Sequence, residues 1–217
     1  MESLLEKITL YDILGYFVPG SIFLLIGGAE YVIKCQTHNL EILKDFSGAF
    51  LLCFIVCAFV CGCILSELSR RICDLWITDK IKEKVAEEID RDSIKAALVK
   101  SGKISTASEP DTTNENIDIP KYFDSIFADI QVDRNYSRIH NYASTAGLNK
   151  NLSMAFILGD IVHIVLCALL IREVNMKAEW IFFIVVGLCA LVSYFRYRRF
   201  EKKTKRYAIE WYTIKYK

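Results

Sequence analysis

Asp160 and His163 are the residues whose chemistry stands out, because both lie near the middle of an apolar run. That run is Asn151–Ile171, NLSMAFILGDIVHIVLCALLI. Asp160 and His163 are three residues apart and so share one helix face, which Ser153 and Cys167, each seven residues from Asp160, extend. A carboxylate, an imidazole, a hydroxyl and a thiol on one face can carry protons or ions, or respond to protonation as a gate. The same groups also serve as interhelical glue, bonding to each other, to hydroxyls or to a backbone carbonyl left open nearby. The residues alone leave both readings open.

The position is costly. A charged carboxylate at the centre of a membrane helix costs about 2.5–3.5 kcal/mol, whereas each Leu, Ile, Val or Phe around it returns only about 0.3–0.6 kcal/mol. The polar face is therefore expected to look inward, toward other helices. The run is 21 residues long, enough to cross a hydrocarbon layer of about 30 Å at about 1.5 Å per residue.

Other candidate chemistry is weaker. Cys53, Cys57 and Cys61 recur every fourth residue, but residues eight apart on a helix are separated by about 12 Å along its axis, too far for one ion. They are expected to form a small-residue stripe for close helix approach. No metal site, cofactor or catalytic set is expected: His38 and His140 are remote in the chain, and no phosphate loop, nucleophile elbow, zinc-protease or dinucleotide motif occurs.

The elements that must position this face are helices segregated by polarity. Of 217 residues, 53% are hydrophobic and 24% charged, with net charge +1. The apolar residues cluster in runs and the charges lie between them, as a bilayer requires. The expected fold is all-α and polytopic, with four transmembrane helices in two hairpins and a cytosolic helical insert between them. The first hairpin, residues 1–67, has spans at about 11–33 and 46–66. Within the first span Pro19 lacks an N–H and crowds the carbonyl four residues back, so Gly15 is expected to need a partner from elsewhere. The N-terminus MESLLEKITLYD is not positively charged, so this span is read as a retained anchor rather than a cleaved signal.

Residues 68–150 form the insert. Glu67 to Lys100 keeps Ile77, Ile81, Val85, Ile89, Ile94 and Leu98 at helical spacing, which predicts an amphipathic helix stopped by Ser101-Gly102. Residues 101–120 read as a mobile linker. A second helix after Pro120 carries Tyr122, Phe123, Ile126, Phe127 and Ile130 as one stripe and feeds toward the third span. The second hairpin, 151–195, has spans at about 151–171 and 180–195, joined by a short loop.

Residues 196–217 form a basic, aromatic tail with seven Lys or Arg between Arg196 and Arg206. Positive residues beside a span stay cytoplasmic, which predicts cytoplasmic N- and C-termini. Arg196, Arg198, Arg199, Lys202 and Lys203 are candidate contacts for anionic lipid headgroups. Tyr197, Phe200, Tyr207, Trp211 and Tyr212 interleave aromatics with charge, but a topology determinant suffices and nucleic acid is not the expected partner. Six of the eight cysteines fall inside spans. The other two, Cys35 and Cys73, are expected on opposite sides of the membrane, so no disulfide framework follows.

Tyr11–Gly20, YDILGYFVPG, and the later stretch RNYSRIHNYASTAGLNKNLSMA resemble the corresponding parts of uncharacterised bacterial inner-membrane proteins with four spans and a cytosolic helical insert. Some similar small membrane proteins are membrane components of anti-phage systems, in which a cytosolic signal drives membrane disruption. The resemblance implies an inner (plasma) membrane location and carries no residue roles. The expected function is non-enzymatic: a homo-oligomer that forms or gates a membrane pathway when its insert receives a cytosolic protein partner or signal. The alternative is an anchor that positions a soluble partner. An intramembrane enzyme built on Asp160 and His163 is the weakest reading.

Overall fold

The computed structural model describes residues 13–34, 48–73, 77–88, 90–104, 119–131, 137–169 and 176–217. Among them the chain is all-helical. A π-helical turn, Ile13–Phe17, leads into α1 (Val18–Lys34). There follow α2 (Gly48–Cys73), α3 (Asp79–Glu88), α4 (Arg91–Lys100), α5 (Ile119–Gln131), α6 (Ser137–Leu169) and α7 (Met176–Lys215). Helices α2, α6 and α7 are each long and apolar enough to cross a membrane, and Ile13–Gly28 is a shorter apolar helix. The loop expected between the first two spans, Cys35, residues 105–118 of the linker expected over 101–120 and residues 172–175 of the short loop expected over 172–179 lie outside the described residues; Ile119 and Pro120 instead open α5, and Met176–Glu179 open α7.

The chain divides into two compact units, one formed by Met1–Arg71 with Ala146–Tyr197 and the other by Ile72–Thr145 with Arg198–Lys217. In the first unit α6 is central. Ala155 and Met154 pack on Leu65 of α2, joined by Phe23 of α1, and Gly159 sits against Ile26 of α1. Ala155 and Gly159 let larger side chains of the neighbouring helices approach, and in a lipid environment, which supplies no hydrophobic force between helices, such close packing and hydrogen bonds must hold them together. The outward faces stay apolar and uncovered: Leu52, Val56 and Val60 on α2, Ile161 and Ile164 on α6, and Ile184, Leu188 and Val192 on α7 are all about half exposed or more. A water-soluble chain rarely carries so large a continuous apolar surface.

The closest approach in this unit is between the π turn with α1 and α2. A Cβ on Gly20 would collide with the Ala58 carbonyl oxygen and lie 2.7 Å from the Gly62 amide nitrogen, and one on Gly62 would collide with the Tyr16 carbonyl oxygen. The face that admits the neighbour is thus Ala58–Gly62. Cys53 and Cys57, proposed for that role from their spacing, are exposed on α2, and Cys61 is half-buried.

The second unit has an ordinary hydrophobic core. Phe123, Ile126 and Ile130 of α5 meet Ile94 and Leu98 of α4, Val85 of α3, and Ile209 and Tyr212 of α7. Each such large side chain contributes about 1.5–3 kcal/mol by leaving water. The α5 stripe expected from spacing is therefore the one that packs. The single amphipathic helix expected over 67–100 is not continuous: Asp90 is extended and α4 starts afresh at Arg91 after α3 (Asp79–Glu88). Asp90 causes this break. It accepts from the Asp92 amide at 3.3 Å and from Ser93 Oγ at 2.5 Å, and so caps α4 rather than continuing α3. The stop at Ser101-Gly102 is present, with Gly102 at φ +72° and the Ser101 and Gly102 amides closing on Ala97 and Val99.

Two long helices run past the limits read from composition. Helix α6 begins at Ser137, ahead of the apolar run, and α7 continues through the basic stretch to Lys215. The segment expected to be a separate tail is helix, and its last third contributes Ala208, Ile209 and Tyr212 to the core formed by the insert.

Candidate functional site

Pro19 is the second residue of α1 and is buried. The π turn makes the chain helical ahead of the proline, so the missing N–H leaves a carbonyl of the preceding turn without its helical donor. The Gly15 carbonyl does receive a partner from another span, but from Asn151 rather than from Asp160 or His163: Asn151 Nδ2 donates to Gly15 O at 2.8 Å. A carbonyl can only accept, which fixes the amide's orientation. Ser69 Oγ of α2 donates to Asn151 Oδ1 at 2.6 Å and lies 2.9 Å from Ser66 O; its one proton serves one of the two at a time. Asn151 thus ties the π turn, α2 and α6 together.

Along α6 the predicted face turns toward α7. Ser153 is buried and its hydroxyl donates to the Ala190 carbonyl at 3.1 Å. About two turns further on, Asp160 is half-buried beside Gly187, where an added Cβ would lie 3.6 Å from Asp160 Oδ2. Gly187 leaves the carboxylate its room. Asp160 Oδ1 is enclosed with no hydrogen-bond partner among the described residues, and the same is true of Ser21 Oγ on α1.

His163 is almost fully enclosed, 2% exposed. Its Nε2 lies 3.2 Å from Glu179 Oε2, in the first turn of α7, and its ring packs on Phe182 with centroids 4.9 Å apart. Cys167, one turn further along α6, places Sγ 3.8 Å from the same Nε2 and donates to the same Glu179 oxygen at 3.6 Å. His163, Cys167 and Glu179 are the one group of three metal-ligating side chains found together among the described residues. Sequence spacing placed His163 and Cys167 on one face but did not bring in Glu179, which stands at the edge of the short loop. The available signal was an acidic residue only twelve positions after Cys167, just ahead of the fourth apolar run.

The basic residues divide. Arg196, Arg198 and Arg199 are exposed. Lys202 Nζ donates to Glu88 Oε1 at 2.6 Å, and this bond holds the Glu88 carboxyl below its ordinary range. Lys203 lies over the rings of Tyr142 (5.7 Å) and Phe200 (5.8 Å). Lys205 and Arg206 pair within the helix with Glu201 and Glu210. Of the aromatics, Tyr197 and Tyr212 are buried, so neither offers a ring face to a base or to a lipid interface. Trp180 is exposed, as an interfacial residue would be.

Among the described residues the chain is all-helical, with three helices long and apolar enough to cross a membrane and a polar, ionisable face between two of them. Comparison with protein-family models, curated proteins and solved structures returns no match.

Proposed function

We propose that this chain is a four-span, two-hairpin protein of the plasma membrane, with both termini cytoplasmic, that acts as a non-enzymatic homo-oligomeric sensor or effector gating a membrane pathway. The observation that carries the proposal is the α6–α7 interface, where Asp160 keeps an enclosed oxygen without a hydrogen-bond partner among the described residues one turn from the enclosed His163. A buried polar group left unsatisfied costs about 1–3 kcal/mol, and ionisable groups kept inside membranes at such cost are functional candidates by default. Helices α6 and α7 also contribute residues to both compact units without interruption. A partner or signal engaging the helices of 72–145 therefore has a continuous backbone through which to bias the polar face. A role in anti-phage defence rests only on the resemblance of Tyr11–Gly20 and of the stretch Arg134–Ala155.

The test is reconstitution in liposomes with a membrane-potential dye, comparing wild type with Asp160→Asn, Asp160→Ala and His163→Ala. Loss or shift of flux in the variants is the expected result; identical behaviour under every activating condition overturns the reading. A second reading, an anchor that positions a soluble partner, is favoured by Asn151 and Ser153, whose polar groups are taken up by helix–helix bonds. On that reading deletion of 72–145 abolishes partner capture while Asp160→Asn is silent.

A further inference from the structure

We propose that His163, Cys167 and Glu179 form a three-residue site for a thiophilic divalent ion, zinc in particular, between the end of α6 and the start of α7. His163 Nε2, Cys167 Sγ and Glu179 Oε2 form a triangle with sides of 3.2, 3.6 and 3.8 Å. Zinc bonded tetrahedrally at about 2.0–2.1 Å to nitrogen and oxygen and about 2.3 Å to sulfur sets its ligand atoms about 3.3–3.6 Å apart. The three atoms therefore already stand within about 0.2 Å of the required separations, and side-chain torsions close the difference.

The arrangement has the other properties such a site needs. Two ligands one turn apart on α6 converge, unlike Cys53 and Cys61 two turns apart. The third comes from the neighbouring helix, so the ion would clamp the hairpin. The packed Phe182 ring fixes the imidazole plane, and the carboxylate sits in the first turn of α7, where the helix dipole favours negative charge. Charge balance is met as well: a dication with one thiolate, one carboxylate and a neutral imidazole sums to zero. That is the condition for burial in a low-dielectric site. Mixed N, S and O donors suit zinc over magnesium or calcium, which take oxygen. Three protein ligands leave one position for water or another ligand.

The competing account is an imidazolium–carboxylate pair in which Cys167 is an onlooker. The experiment separates them without depending on gating. The full chain, purified in detergent and stripped with chelator, is titrated with Co²⁺ and then Zn²⁺. We expect one Co²⁺ per chain, with a near-ultraviolet thiolate-to-cobalt charge-transfer band and the intense visible bands of a four-coordinate ion, both abolished by Zn²⁺. Cys167→Ser removes the charge-transfer band and weakens binding at least 10-fold, and Glu179→Gln also weakens binding at least 10-fold. A wild-type protein that binds substoichiometric Co²⁺, or binds it without the thiolate band, overturns the site regardless of how the variants fold. So does a folded Cys167→Ser that retains the band through another of the eight cysteines. Flux through the bundle is not a readout here, so a protein that binds metal and conducts nothing sinks only the gating proposal.

Discussion

Asn151 is the residue on which the first unit's polar packing converges, and its removal has a calculable cost. The Asn151→Ala variant loses the 2.8 Å bond to Gly15 O and the 2.6 Å bond from Ser69. Interhelical hydrogen bonds in membranes average about 0.6 kcal/mol and reach about 1.7 kcal/mol, so the two bonds together are worth about 1–3 kcal/mol. The Gly15 carbonyl is then left open beside Pro19, which moves the total toward the upper end of that range. Ser69→Ala loses only one of the bonds and leaves the carbonyl satisfied, so it should cost about 0.5–1.5 kcal/mol. The double variant should cost less than the sum of the singles, because the Ser69–Asn151 bond is counted twice in that sum. Reversible unfolding in mixed detergent–SDS micelles, followed by circular dichroism, measures all four proteins. Strict additivity, or an Asn151→Ala loss below about 0.5 kcal/mol, refutes the network as described.

Gly62→Ala and Gly20→Ala force backbone against backbone and should each destabilise by about 1–3 kcal/mol or more in the same assay, while Gly147→Ala, with open space around it, should be neutral or slightly stabilising. Tyr212→Phe removes the 2.5 Å bond to Ser101 Oγ inside the second unit's core and should cost about 1 kcal/mol, against about 3–5 kcal/mol for Tyr212→Ala. Because Lys202 lowers the Glu88 carboxyl in the folded state, the pair stabilises above the ordinary carboxylate value of 4.5 and loses that contribution as pH falls below it. Lys202→Gln should therefore flatten the acid limb of the stability–pH curve and leave its shape at higher pH unchanged. An unaltered acid limb would show that the bond does not persist in solution.

Some of this was readable from the chain because the determining physics is local. The apolar length of 151–171, the face shared by Asp160 and His163, the Phe123–Ile126–Ile130 stripe and the Ser101-Gly102 stop depend only on neighbours within a few turns. The need for a second helix to satisfy Gly15 also followed from Pro19 alone. Which helix answered did not: Asn151 lies 136 residues away, and nothing in its own surroundings distinguishes it from any other Asn at a span boundary.

The same limit explains the remaining differences. The cysteines of α2 and the glycine beside them recur at similar spacing, so hydropathy cannot say which face a neighbour's backbone will meet; Ala58 and Gly62 are selected by the path of the Tyr16–Gly20 segment. The basic stretch after the fourth apolar run has the composition of a solvated tail, yet Ile209 and Tyr212 are spaced to fill a core built by α3, α4 and α5, a pairing only the folded chain reveals. Glu179 belongs to loop chemistry in the sequence and to His163 and Cys167 in the structure. Local periodicity sufficed to give apolar helices with one polar face on α6. Which groups meet that face was decided by tertiary packing, because hydrogen bonds and ligand sets depend on distances between segments that local periodicity does not encode.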